Sequence, residues 1–584
     1  MPRTIPFAQY LFKRLHQLNC YSLHGVPGDF FLRALDHLPV SGLRWIGNAN
    51  ELCAGYAADG YARLGSQLAR HHRGIKARPA MVGALMTTYG VGELSAINAV
   101  AGSYAECAPV VHLVGVPSRR AMRDHNSRRP IHHSIDGRME IYADMAKNVT
   151  CAQAYLHRIE NANTAAEAYD EALETAILKS KPVYVSLPSD MVDMPISADV
   201  LDGSLRLSPP TNDLHREEAL VDRLVDKLRQ SQRPLIIADA LSYPLNVQIE
   251  INELVSLSGI PAMSFTSGKG IIDESLPSWD PALPNTTEYS QAADLVLLFG
   301  PLLSDTNTAR WSAIPDVENT VMFNLDSVDM AGQIHDHIRS KSLLQKLVSR
   351  LRNEPNLQGS AAKEQCPSDL PPAPNPSANI RQDDLWPALS SFIRPEDTLL
   401  LANGTPLIGA RSIRLQAGCQ VVASPIWNAI GSMLPAAQGI AAAKRDHNLP
   451  GRTILLEGDG SFQVTCQSIS DIIRYKLDVA IFIANNKGYT YERFLNGMEA
   501  EYNDVPNWRY IEAARFFGAK DEDPNYPTLG RRVETWDQLQ QVLGDEHVIN
   551  GKGLKIVDVV LDPQDVPEKS KPGLQRASEA LRSP

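Results

Sequence analysis

Thr453-Ile454-Leu455-Leu456-Glu457-Gly458-Asp459-Gly460-Ser461 decides the reading of this chain. An apolar strand runs into a glycine turn, and Phe462 to Tyr475 then carries Val464, Ile469, Ile472 and Ile473 at helical spacing. In an open α/β sheet, ligands bind beyond the carboxyl ends of the strands, where such turns lie. Backbone N–H groups at a helix start suit a phosphate, and Asp459 in the turn can hold a divalent cation that bridges phosphate oxygens. The next apolar run, Val479 to Ala484, ends in Asn485-Asn486-Lys487-Gly488. Adjacent parallel strands would set this second turn beside the first and give Mg²⁺ the Asp459 carboxylate, the Asn486 amide oxygen and a backbone carbonyl at Gly488. Either turn alone could be an ordinary loop. Together, Gly458, Asp459, Gly460, Ser461, Asn486 and Gly488 read as a magnesium diphosphate site.

Outward from this stretch, similar apolar runs stop at Gly, Asn or Asp: Val110 to Val116, Pro182 to Leu187, Leu235 to Ala238, Leu295 to Phe299, Val321 to Leu325, Leu399 to Ala402 and Ile556 to Leu561. Segments long enough for a helix separate them, the mark of parallel α/β construction with helices on both sheet faces. Six prolines between Asn353 and Asp384 mark a linker, and a weaker break lies between Pro188 and Arg216. The expected fold class is α/β with three doubly wound parallel-sheet domains. The expected division is a first domain at 1–190, a central domain at 215–350, a linker at 351–384, a third domain at 385–565 and a C-terminal tail at 566–584.

Composition narrows the function. With 56 basic against 67 acidic residues the net charge is -11, which opposes binding to a nucleic-acid backbone. No apolar run approaches the roughly 20 residues that span a bilayer, and Met1 to Asn19 alternates polar with apolar residues, so no membrane partner and a cytoplasmic location are expected. The seven cysteines are scattered without a C-x-x-C pair.

The turn pair resembles the motif of thiamine diphosphate enzymes, which begins with GDG and closes with NN about 30 residues later, as Gly458 and Asn486 do here. Such an enzyme should also present a carboxylate to the pyrimidine ring. Gly47-Asn48-Ala49-Asn50-Glu51-Leu52 supplies Glu51, although Asn48-x-x-Glu51 also spells a capping box in which Glu51 merely satisfies backbone donors. The surrounding sequence is similar to the pyruvate decarboxylase and indolepyruvate decarboxylase family of 2-oxo acid decarboxylases. The likeness includes His24 to Asp29, Tyr56 to Arg63, Tyr89 to Ala96, Ala101 to Glu106, Val114 to Ser118, His132-His133, Leu302 to Asp305 and Gly488 to Arg493.

This resemblance implies non-oxidative decarboxylation of a 2-oxo acid to an aldehyde and CO₂, with thiamine diphosphate and Mg²⁺ as cofactors. It implies catalytic roles for Glu51, Asp29, His132, His133 and Glu492, and cofactor contacts from Asn428 and Ile430. It also implies a homodimer or dimer of dimers, because the first domain of one copy meets the third domain of another at each cofactor. Read from residue type alone, the histidines could sit on a basic surface with Arg119, Arg120, Arg123, Arg128 and Arg129, and Glu492 could be a surface charge beside Arg493. Two rival functions remain: a carboligase on the same scaffold and a catalytically retired regulatory paralogue.

Three departures from the family stand out. Asn428 occupies a position where glycine is common, and a basic insertion lies between Arg63 and Met81, with Arg70, His71, His72, Arg73, Lys76 and Arg78. Asp239-Ala240-Leu241-Ser242 stands where yeast-type members of the family carry a cysteine implicated in substrate activation. The rate should therefore depend hyperbolically on 2-oxo acid concentration, and sigmoidal initial-rate curves would place activation elsewhere in the molecule.

Overall fold

The computed structural model describes residues 3–65, 68, 81–124, 130–353, 374–520 and 523–582. The basic residues of the insertion, residues 354–373 of the linker, and Arg128 and Arg129 lie outside the described residues.

Three six-stranded sheets follow one another along the chain. The first contains β1 (Ser22–Gly25), β2 (Arg44–Gly47), β3 (Gly83–Thr88), β4 (Val110–Val116), β5 (Gln153–Tyr155) and β6 (Val183–Pro188), in the spatial order β2-β1-β3-β4-β6-β5. The central sheet holds β7 (Pro234–Ala238), β8 (Ala262–Ser264), β9 (Leu295–Phe299), β10 (Thr320–Phe323), β11 (Ser327–Met330) and β12 (Gln333–Asp336), ordered β8-β7-β9-β10-β11-β12. The third has β13 (Thr398–Leu401), β14 (Gln420–Val422), β15 (Thr453–Gly458), β16 (Val479–Asn485), β17 (Thr528–Val533) and β18 (Leu554–Val560), ordered β14-β13-β15-β16-β18-β17. The outer sheets are parallel throughout and share one topology, whereas β11 and β12 close the central sheet as antiparallel edge strands.

Alternation along the strands explains their unbroken apolar character. In the third sheet, Leu455, Ile481 and Ile556 pack into one apolar cluster, while Ile454, Leu456, Phe482 and Val557 enter another on the opposite face. In each outer sheet the first and third strands are neighbours, β1 beside β3 and β13 beside β15, so the chain leaves on opposite sides and opens a crevice at the carboxyl ends.

The helices that matter for the site are α1 (Glu51–Arg63), α2 (Val91–Ala105), α3 (Met433–His447), α4 (Asp459–Thr465), α5 (Ser468–Arg474), α6 (Thr490–Leu495) and α7 (Lys571–Arg582). The single helix expected over 462–475 is two: it starts already at Asp459 and is interrupted by a turn at Cys466 and Gln467. The expected tail is α7, which buries Leu574 and Ala577; its Ser578 hydroxyl donates to the Leu495 carbonyl of α6 at 2.8 Å. No helix among the described residues is long and apolar enough to cross a membrane.

The first and third units are joined by α1 against α3. A Cβ on Gly60 would stand 2.2 Å from the Ala436 carbonyl oxygen, and one on Gly439 would stand 1.8 Å from that of Ala57. Both positions require glycine because backbone meets backbone. Gly439→Ala should force the helices apart and cost about 1–3 kcal/mol of stability, measured by denaturant unfolding. An unchanged unfolding midpoint would show that the crossing adjusts freely.

Candidate active site

At the crevice of the first sheet, Gly28 lies so close to Thr88 that a Cβ would approach the threonine Cβ to 2.3 Å, which sets Asp29 over the end of β3. The Asp29 carboxylate meets Nε2 of His132 at 2.8 Å. The His132 ring stacks on Phe30 with centroids 4.8 Å apart and meets the His133 ring edge-on at 4.6 Å. His133 is left-handed, with φ of 68°, and its carbonyl accepts the Tyr142 hydroxyl at 2.5 Å. The described arginines of the expected basic surface are occupied elsewhere: Arg119 with Asp190 and Glu160, Arg120 with Asp124, and Arg123 with Glu160.

Glu51 is the first residue of α1, but it is not the reciprocal partner of a capping box. The cap is Asn50, whose side-chain oxygen accepts the Cys53 N–H at 2.8 Å. Asn48 is used differently: its oxygen accepts the Gly25 N–H at 3.2 Å, and its amide donates to Gln438 and Asp471. Glu51 is left half-buried beside Gly92, where a Cβ would come within 3.1 Å of its Oε1.

In the third sheet, β15 and β16 pair Gly458 with Ala484, so the two turns emerge side by side. The Asp459 carboxylate accepts the Gly488 N–H at 3.0 Å, and the Asn486 amide reaches the Thr405 hydroxyl at 3.4 Å. Gly488 has a φ of 141°, and a Cβ there would meet the Asn503 carbonyl at 2.1 Å. Asp459 is 1% exposed, and burial pushes its carboxyl up to about 7. Burial likewise raises the neighbouring Glu457 to about 8. A carboxylate so buried is costly as an anion without a positive charge beside it, and its hard oxygens suit Mg²⁺. Beside it, a Cβ on Gly404 would meet nothing within 4 Å, and one on Gly458 would meet only the Ser461 Cβ at 4.0 Å. Open space thus lies at the ends of β13 and β15, where the N–H groups of α4 begin. The residues fit a diphosphate and its cation.

The segment after β14 is pinned from three sides. Glu106, at the end of α2, accepts the Ser424 hydroxyl at 2.9 Å, the Ile426 N–H at 2.9 Å and the Trp427 N–H at 2.8 Å. Ser304 of the central unit donates to the Pro425 carbonyl at 2.8 Å. Gly431 donates its N–H to Ser461 at 2.8 Å and accepts the Thr465 hydroxyl at 2.7 Å, one turn further along α4. Ile430, 40% exposed, is thereby held next to the helix that starts at Asp459. Asn428 has a φ of 52°, the left-handed region that Asn tolerates better than most residues, so the replacement of glycine keeps the backbone path. Thr405, Thr465 and Glu106 carry no spacing signal in the sequence; the fold reveals them.

Glu492 is exposed on α6, and the adjacent Arg493 does not pair with it. Arg493 binds Asp504 at 2.6 Å and the Lys487 carbonyl at 3.1 Å. Asp29, Glu51, His132 and His133 therefore cluster at one sheet, while Asp459, Asn486, Gly488, Ile430 and Glu492 belong to the other. The contacts of Gly60 with Ala436 and of Ala57 with Gly439 run antiparallel, so the start of α1 lies away from the start of α3. Glu51 stands nine residues before Gly60, roughly 13 Å of helix rise from that contact.

Comparison with known proteins agrees with this layout. Family models of thiamine pyrophosphate enzymes match residues 5–141 (N-terminal TPP binding domain), 221–351 (central domain) and 404–559 (C-terminal TPP binding domain). The chain is 38% identical to pyruvate decarboxylase of Aspergillus parasiticus, over 97% of this chain and 96% of the relative. It is 35% identical to that of Aspergillus fumigatus over 97% and 96%, and 34% identical to that of Kluyveromyces lactis over 96% of each. Likeness of this extent, carried through all three units in order, shows that the chain belongs to the pyruvate decarboxylase family of thiamine pyrophosphate enzymes.

Proposed function

We propose that this protein decarboxylates a 2-oxo acid without oxidation, releasing an aldehyde and CO₂, with thiamine diphosphate and Mg²⁺ bound at the end of the third sheet. The observation that carries this reading is the buried Asp459 carboxylate tied to Gly488 beside an open glycine-lined crevice. Asp459, the Asn486 amide oxygen and the Gly488 carbonyl would hold the metal, and the N–H groups from Gly458 to Ser461 would hold the diphosphate. When bound, thiamine diphosphate supplies the electron sink that lets CO₂ depart. Ile430, with Asn428 shaping the turn beneath it, would wedge the cofactor into a bent form, and Glu51 would hydrogen-bond the pyrimidine. Asp29, His132, His133 and Glu492 would hold and move the protons needed at the reacting carbon.

The proposed division gives pyrimidine binding to 1–190 and diphosphate binding to 385–565, and leaves 215–350 without cofactor contacts. Because Glu51 and Ile430 lie at opposite ends of the α1–α3 crossing, a complete site would join Glu51 of one copy to Asp459 of a second. Val91, Ile426, Ile430 and Val464 leave apolar surface exposed near these strand ends, which such a homodimer, or a dimer of dimers, would cover.

Removal of thiamine diphosphate and metal by dialysis against a chelator should abolish aldehyde release from a panel of 2-oxo acids, and only both together should restore it. Undiminished turnover by protein shown to lack thiamine would overturn the assignment. Decarboxylase and carboligase differ in how fast the carbon left by CO₂ is protonated. Glu492→Gln should slow aldehyde release by roughly 10² to 10⁴-fold if Glu492 is a general acid. It should also raise the share of 2-hydroxy ketone when an acceptor aldehyde is supplied, measured chromatographically. An unchanged rate and product ratio would remove Glu492 from the proton relay.

A further inference from the structure

The loop that delivers Glu51 is held by side chains from outside its own sheet. Between β2 and α1, the Gly47 N–H donates to the Tyr475 hydroxyl at 2.6 Å, and the Ala49 N–H donates to Asp471 Oδ2 at 3.2 Å. The Asn48 amide donates to the same Asp471 oxygen at 3.2 Å and to Gln438 Oε1 at 3.0 Å. Asp471 is 4% exposed. It lies on α5, Tyr475 follows α5 directly, and Gln438 lies on α3, so all three belong to the third unit of the same chain. Asn50 then caps the helix, and Glu51 is its first residue.

We infer that Asp471 is a positioning residue for Glu51, holding the segment just before it through the Ala49 backbone N–H and the Asn48 side-chain amide, both donated to one buried carboxylate oxygen. The inference rests on the reading of Glu51 as the residue that faces the pyrimidine. Both ties end on the same oxygen, so a change at Asp471 loosens Asn48 and Ala49 together. The helices α4 and α5 also gain a joint role. Asp459 begins the pair at the diphosphate crevice of its own unit, and Asp471 near its far end sets the Glu51 that serves the neighbouring copy's cofactor. A shift of α5 would therefore move a carboxylate in a different site from the one that Asp459 occupies.

The test is hydrogen–deuterium exchange at C2 of bound thiamine diphosphate, followed by NMR after acid quench of the holoenzyme. Asp471→Asn keeps the side-chain size but removes the ionised acceptor. Exchange should slow by roughly 10- to 100-fold, the cost of a misplaced catalytic group, with thiamine diphosphate affinity preserved. A parental exchange rate in folded, cofactor-loaded Asp471→Asn would overturn the inference, even if that variant unfolded more easily. Should Asp471→Asn not fold, Asp471→Glu keeps the charge but shifts the accepting oxygen by one methylene; slower exchange supports the clamp and a parental rate rejects it. Glu51→Gln, measured alongside, separates the two levels. Parental exchange in Glu51→Gln would reject the reading of Glu51 and this inference with it. Slow exchange in Glu51→Gln beside parental exchange in Asp471→Asn would reject the clamp alone.

Discussion

Helices α1 and α3 meet backbone to backbone because Gly60 and Gly439 offer no Cβ to hold them apart, and the rest of the site depends on that contact. It places the two crevices of one chain at fixed, separate positions. Tyr61 and Leu64 of the first unit share one apolar cluster with Met433, Leu434, Ala437 and Ile440 of the third, so the crossing is part of a core and not a hinge. Around it run polar ties of the same kind, from Arg63 to the Ala423 carbonyl at 2.9 Å and from Asn48 to Gln438 at 3.0 Å. The two crevices are therefore rigidly joined within one chain, and Ile426, Ile430 and Val464 are left exposed beside the second of them.

The two crevices are built on opposite electrostatic terms. In the third unit Asp459 and Glu457 are taken out of water, which raises the cost of their charge. A cation held there would offset that cost. In the first unit Asp29 and His132 stay exposed, and their arrangement depends on the stacking of His132 on Phe30 and on the left-handed turn at His133. Identical sheet topology thus carries a buried carboxylate pair at one crevice and an exposed carboxylate–imidazole cluster at the other.

Much of this was legible in the sequence where chemistry and strand ends coincide. The runs Val110 to Val116 and Leu295 to Phe299 are strands with those bounds, and the GDG and NN turns do emerge from neighbouring parallel strands. Continuous apolar runs that stop at glycine leave few other solutions. Three features were hidden. The capping register at Asn50 was obscured because Asn48 and Asn50 are equally good caps, and only the tertiary demand on Asn48 from Gly25, Gln438 and Asp471 decides between them. The break at Cys466 and Gln467 has no proline or glycine to announce it. The docking of α7 on α6 is a long-range contact that local periodicity does not encode.

The contribution of the central unit can be read from one atom. Ser304 accepts the Asn307 N–H at 3.0 Å and donates to the Pro425 carbonyl. Asn307 is itself fixed by the buried Asp239, which takes two hydrogen bonds from its amide and one from the Leu302 N–H. Asp239 thus organises the Leu302 to Asn307 turn from the end of β7. Just after Asp239 come Leu241 and the buried Ser242, whose hydroxyl donates to the Phe299 carbonyl at 3.0 Å. The central sheet therefore reaches the cofactor crevice by holding the carbonyl five residues before Ile430, while Glu106 holds the N–H groups on the next two residues from the first unit. The segment that carries Ile430 is thus fastened to all three units at once, and Ser461 and Thr465 clamp Gly431 immediately behind it.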